Sequence, residues 1–168
     1  RGRSREVPSE PVSGLVQKDV LIRQARESDL PALIAIFASD AVGGHGDTTA
    51  SDAYEDYLKA FTAIDLSPNE RLFVAERDGE IVGTFQIMFN RTLTGRGGLS
   101  MIIEAVQTRA DTRGQGIGAM MIDYAVSEAR RRGCRLVQLT SNMARQDAHR
   151  FYERLGFAKS HFGFKMKL

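Results

Sequence analysis

The sequence predicts a single domain of the α/β class, α+β-like in layout, with a central mixed but mostly antiparallel sheet flanked by about four helices. Three observations carry that expectation. Strand-like runs and segments with a 3.6-residue apolar period succeed one another along the chain, separated by glycine-rich and Asp-Gly turn signals. The pair Asp78-Gly79 lies between two strand-like runs, "RLFVAER" and "EIVGTFQIMF", and marks a hairpin. A length of 168 residues, 42% apolar and 26% charged, suits one domain with a real core, and no internal repeat or second core is visible.

The elements follow in order. Arg1 to Lys18 is polar, holds Pro8 and Pro11 and has no periodicity, so residues 1–18 are expected to be a flexible N-terminal arm or expression remnant, with the domain at 19–168. Its mixed charges do not favour a nucleic-acid arm. "DVLIRQA" reads as the first strand. "SDLPALIAIFASD" reads as a helix with Ser28 or Asp29 as N-cap, Pro31 in the first turn, and Leu30, Leu33, Ile34 and Phe37 on its apolar face. After the glycine-rich loop "AVGGHGDTTASD", "DAYEDYLKAFTAI" predicts a second helix with Tyr54, Tyr57, Leu58 and Phe61 on one stripe. The hairpin comes next, then the turn "LTGRGG" and the strand "LSMIIEAVQT". Ile117, Met120, Met121, Tyr124 and Ala125 give the following helix its apolar face, and Gly133 stops it. "CRLVQLT" reads as a buried strand, "RQDAHRFYERLG" as a short helix ending at Gly156, and "FAKSHFGFKMKL" as an extended, alternating tail.

Composition narrows the function classes. A net charge of +2 is too small to indicate nucleic acid, and the arginines of "ARRRGCR" suit the last turn of a helix, where cations complement the dipole. The single cysteine, Cys134, excludes an intrachain disulfide and a cysteine-based metal cluster and fits a reducing compartment. No apolar run nears the roughly 20 residues that span a bilayer, and the N-terminus shows no signal-peptide pattern. A cytoplasmic protein without membrane or nucleic-acid partners is expected.

The stretch "RGQGIG", Arg113 to Gly118, sits between a strand and a helix. First-turn amides lack intrahelical acceptors and the helix dipole favours negative charge, so this arrangement suits a phosphate. A Walker loop needs Lys and then Ser or Thr after the last glycine, but Ala119 follows Gly118; a Rossmann fingerprint has wider glycine spacing and an acid ending the next strand, which "CRLVQLT" lacks. The motif instead resembles the arginine/glutamine-x-x-glycine-x-glycine signature of the GNAT superfamily of acetyl-CoA-dependent N-acetyltransferases. The element order and the later "AHRFYERLGF" are similar to that family as well, so the resemblance covers roughly Val20 to Leu168. It implies acetyl-CoA as cosubstrate, with no metal. The backbone of Gly114, Gln115, Gly116, Ile117, Gly118 and Ala119 would hold the pyrophosphate, with Arg113 supporting the loop. Val106, Gln107 and Thr108 would pair with the pantetheine arm as an added strand does. Where the family often has asparagine this chain has Arg145; Asn142 lies just upstream as a substitute, and Arg145 is open to a phosphate or an acidic substrate.

Transfer to an amine needs a proton acceptor and a donor for the departing thiolate. At neutral pH only on the order of one part in a thousand of an amine with pKa near 10 is neutral. Glu104, on the motif strand, stands where some family members carry a base; simple alternation places it on one face with Val106 and Thr108. Substrate orientation is its other reading. The resemblance makes Tyr152 the general acid, since a phenol near pKa 10 keeps its proton at neutral pH; ring packing beside Phe151 is the other reading. Cys134 has no histidine near it in sequence and reads as a small hydrophobe, which favours direct transfer in a ternary complex. His45 and Asp47 are weak substrate or metal candidates, and His149 is expected to face solvent or lie near the cosubstrate. The acceptor region is expected between Leu30 and Asp65 and at "NRTLTGRGG". A small-molecule primary amine is the first reading. A protein lysine or N-terminal amine, a non-catalytic acyl-CoA-binding module and a homodimer stay open.

Overall fold

The computed structural model describes residues 19–42 and 45–168, so the arm expected at 1–18 lies outside the described residues. The order is β1 (Val20–Gln24), α1 (Leu30–Ala38), α2 (Tyr54–Leu66), β2 (Glu70–Arg77), β3 (Glu80–Arg91), α3 (Thr94–Gly97), β4 (Leu99–Thr108), α4 (Ile117–Arg131), β5 (Leu136–Leu139) and α5 (Gln146–Arg154). The five strands form one sheet in sequence order; β1 to β4 are antiparallel neighbours and β5 joins β4 in parallel. The mixed, mostly antiparallel sheet is therefore present. Asp78 and Gly79, with φ of 52° and 77°, both take the left-handed conformation that a two-residue hairpin loop requires.

Each face of the sheet has its own core. Phe73, Phe85, Ile87, Met101 and Ile103 pack under Ile117, Met121, Ile122 and Ala125 of α4. Phe73 and Phe85 stack at 5.1 Å, and Tyr124 closes against both. On the opposite face Leu72, Val74 and Ile81 meet Leu30, Leu33 and Ile34 of α1 and Phe61 of α2. Among the described residues no helix is long and apolar enough to cross a membrane.

Three details depart from the sequence reading. Tyr54 is exposed at the start of α2, off the buried stripe, because the apolar face begins one turn later at Tyr57. The turn "LTGRGG" contains α3, a single irregular turn in which Gly95 and Arg96 are left-handed. The tail after Gly156 is not hydrogen-bonded into the sheet, and Phe162, Phe164, Met166 and Leu168 are exposed.

Asp29 precedes α1 as expected, but its carboxylate caps no amide of that helix. It accepts the Arg26 amide at 2.7 Å and both terminal nitrogens of Arg23 at 2.7 and 2.9 Å, while Arg23 also reaches Glu76. The Arg23 hydrogen bonds hold the Asp29 carboxyl below the usual range, against the opposing effect of burial. A depressed folded value means stabilisation that is present at neutral pH and is lost as pH falls from the unfolded value, near 4, through the folded one. Asp29→Asn is expected to lower unfolding free energy by about 2 kcal/mol in urea titrations at pH 7, with the difference shrinking as the pH drops below about 4.

Candidate active site

The sheet opens where β4 and β5 part. They pair only from Ser100↔Leu136 to Ile103↔Leu139. Beyond that point β4 continues to Thr108, bonded to β3 alone, so the side facing the β5–α5 connection is unpaired among the described residues. The first turn of α4 closes one end of this slot. A Cβ on Gly118 would lie 3.2 Å from the Phe151 ring of α5 and 3.8 Å from Thr108 Oγ1.

The glycine loop is built as a backbone cradle. Buried Thr112 donates through Oγ1 to Arg109 O at 2.9 Å, fixing the approach. Gly114 and Gly116 then take φ of 75° and 81°, a region that side chains avoid. Arg113 Nε donates to Thr108 O at 3.3 Å, and Arg77 donates to Gln115 Oε1 at 2.6 Å. Ile117 is buried and anchors the helix. The first intrahelical bond runs from Met120 N to Gly116 O, which leaves the amides of Ile117, Gly118 and Ala119 without intrahelical acceptors. Open amides, the positive end of a 15-residue helix and no Cβ at two loop positions fit a pyrophosphate.

β4 does not alternate simply through the slot. Gln86 opposes Glu104 and Thr84 opposes Gln107, so Ala105 and Val106 together face Phe85. This is a bulge, and Ala105 absorbs it with φ of 50°. The extra residue changes the faces. Val106 packs with the α4 core and Thr108 lies beside Gly118, whereas Gln107 reaches Asp40 on the α1 side. Glu104 opposes Gln86, whose amide donates to Glu70 Oε1 at 3.4 Å on that same α1/α2 face. The expectation that Glu104 shares a face with Val106 and Thr108 is therefore wrong, and the bulge is the reason. Glu104 is half-buried and makes no hydrogen bond or ion pair among the described residues.

Helix α5 brings up the remaining groups. Tyr152 is half-buried, its ring edge-on to Phe151 at 5.1 Å and Phe157 at 5.9 Å. Burial pushes its phenol above the ordinary value, and the positive charge of Arg145 pulls the other way. Arg145 precedes the helix and pairs with Asp40 at 2.5 Å. Asn142 uses Oδ1 to accept the Ala144 amide, and its carbonyl meets His149 Nε2 at 2.9 Å. A carbonyl only accepts, so Nε2 is the donor in this contact. His149 is half-buried, with Nδ1 sealed from solvent and Nε2 turned to the Asn142 carbonyl. Asp40 is the participant that sequence reasoning missed. Two of its partners, Gln107 and Arg145, lie 67 and 105 residues away, a separation no local pattern reveals.

The lesser candidates are taken up elsewhere. Asp47 accepts from the Tyr57 hydroxyl at 2.9 Å, and His45 is exposed. Burial pushes the Cys134 thiol up, partly opposed by Arg132 and Arg91, which disfavours the thiolate a nucleophile needs.

Slot and cradle lie together on one α/β sheet, and similarity to known proteins gives the class, an acyltransferase. Residues 30–157 match the model of the Acetyltransferase (GNAT) family, and the chain belongs to that family. It is 37% identical over 115 residues to the aminoalkylphosphonate N-acetyltransferase of Salmonella typhimurium, covering 68% of this chain and 74% of that one. The crystal structure of a transcriptional regulator from Bacillus halodurans C-125 superposes with a TM-score of 0.85 at 41% identity, over 89% of this chain and 99% of that chain. Glucosamine-6-phosphate N-acetyltransferase from Arabidopsis thaliana shares the fold, at 21% identity and a TM-score of 0.73, over 89% and 99% of the two chains.

Proposed function

We propose that this enzyme moves the acetyl group of acetyl-CoA to the primary amine of a small metabolite by direct transfer in a ternary complex. The observation that carries the reading is the slot itself: an unpaired strand edge with open helix amides at one end. The relative that acts on aminoalkylphosphonates supports a small-molecule acceptor.

Acetyl-CoA supplies an activated thioester. The chain's own residues do the rest. The amides of Ile117, Gly118 and Ala119 hold the pyrophosphate, and the open edge from Val106 to Thr108 takes the pantetheine amides as a neighbouring strand would. Holding the thioester there turns a bimolecular encounter into a positioned one. Glu104, on the α1/α2 face, takes a proton from the incoming ammonium, directly or through water. The neutral amine forms the carbon–nitrogen bond, the carbon–sulfur bond breaks as Tyr152 gives its phenolic proton to the departing sulfur, and the second proton lost by the nitrogen restores the phenol through solvent.

Thiol release measured against a panel of amines tests the reading, with aminoalkylphosphonates as the first members. Tight coenzyme A binding without turnover of any amine would sink it. The cradle has its own test. Gly116→Val puts a branched side chain where φ is 81° and where amides must approach phosphate, a left-handed placement that alone costs about 1 to 2 kcal/mol. Coenzyme A affinity is expected to fall at least about tenfold by calorimetry, with the folded sheet retained by circular dichroism. Unaltered affinity would mean the loop does not hold the cosubstrate.

A further inference from the structure

Asp40 and Arg145 meet across the mouth of the slot. Asp40 follows the end of α1, and Arg145 stands at the start of α5. Asp40 Oδ2 accepts from Arg145 Nη2 at 2.5 Å and from Gln107 Nε2 at 3.2 Å. Only 10% of the Asp40 side chain and 32% of the Arg145 side chain remain exposed, so both charges are already largely withdrawn from water. Gln107 ties the pair to the face of β4 that also carries Glu104. Arg145 stands at the N-terminal end of α5, seven residues before Tyr152, and its positive charge acts on that phenol. The pair thus links the β4 face that carries Glu104 to the start of the helix that carries Tyr152.

We propose that Arg145 and Asp40 are the recognition pair for a zwitterionic acceptor, a primary amine whose other end carries an oxyanion such as a phosphonate, phosphate or carboxylate. This deepens the reading under Proposed function and rests on it. The substrate's oxyanion takes the guanidinium, which can meet it with two parallel N–H donors, and its ammonium takes the Asp40 carboxylate. Each charge of the pair exchanges one partner for another, so none is left buried and unpaired. A neutral alkyl amine brings no anion for Arg145. A diamine brings a second cation against it, which costs further. The exchange also delivers the ammonium on the Glu104 side, where it must lose its proton.

The test uses three acceptors of similar length: 2-aminoethylphosphonate, n-propylamine and 1,3-diaminopropane. With the wild-type enzyme, kcat/KM is expected to fall in that order, the first step being at least about tenfold. Arg145→Gln should lower kcat/KM for 2-aminoethylphosphonate much more than for n-propylamine, bringing the two within about threefold. The double variant D40N/R145Q removes both charges together and should show the same collapse, which separates recognition from a folding defect. Equal wild-type use of the charged and neutral amines would overturn the proposal while leaving the acetyltransferase reading intact. So would an Arg145→Gln loss of the same size for all three. Absence of turnover with every amine would instead remove the functional reading on which the pair's role depends.

Discussion

Tyr152→Phe is expected to lower maximal turnover about a hundredfold to ten-thousandfold, roughly 3 to 5 kcal/mol in the barrier, with acetyl-CoA binding little changed. The substitution deletes one hydroxyl and keeps the ring between Phe151 and Phe157, so the thermal midpoint should stay close to wild type. A proton given to the sulfur acts only as the carbon–sulfur bond breaks, which is why the loss belongs to turnover and not to binding. The pH profile follows from the direction of the phenol's shift. The acid must be protonated to work, and burial raises its pKa, so the proton is retained through the neutral range. Wild-type turnover should therefore fall only at alkaline pH, beyond the ordinary phenol value near 10. The phenylalanine variant should lack that limb. Near-normal turnover with an intact alkaline limb would reduce Tyr152 to a packing residue.

Local patterns explain why so much of this fold is legible in the sequence. Asp78-Gly79 forces a two-residue hairpin, the apolar face from Ile117 to Ala125 needs a helix packed on a sheet, and Gly133 ends that helix with φ of 70°. The glycine loop is local as well, since the positive φ at Gly114 and Gly116 is what those glycines are for. Non-local geometry is what escapes. The bulge at Ala105 arises from how β4 pairs with β3, and nothing in "IIEAVQT" marks an alanine as the residue that turns left-handed. One inserted residue moves Val106 and Thr108 to the face opposite Glu104. Asp40 escapes for the same reason, because its contacts with Gln107 and Arg145 exist only once α1, β4 and α5 converge. The tail shows the converse limit. Its alternation of Phe162, Phe164, Met166 and Leu168 predicts extended chain, but pairing requires an edge that the pattern itself cannot supply.

That bulge sharpens what to expect of Glu104. The carboxylate lies on the face of α1 and α2, the elements where the acceptor is expected, while the α4 face of the same strand holds Val106 and Thr108. Glu104→Gln keeps the shape and removes the basicity. If Glu104 accepts the amine's proton, directly or through one water, maximal turnover should drop on the order of a hundredfold. Acceptor basicity separates this role from simple positioning. An amine with pKa near 10 presents only about a thousandth of its molecules in the neutral form at pH 7, so the base acts on nearly every productive encounter. An amine with pKa near 7 arrives about half neutral and asks less of that group. The Glu104→Gln penalty should therefore shrink severalfold between a strongly and a weakly basic acceptor of similar shape. A penalty that is the same for both amines, or one confined to the Michaelis constant, would mean that the carboxylate orients the substrate and that proton removal falls to water.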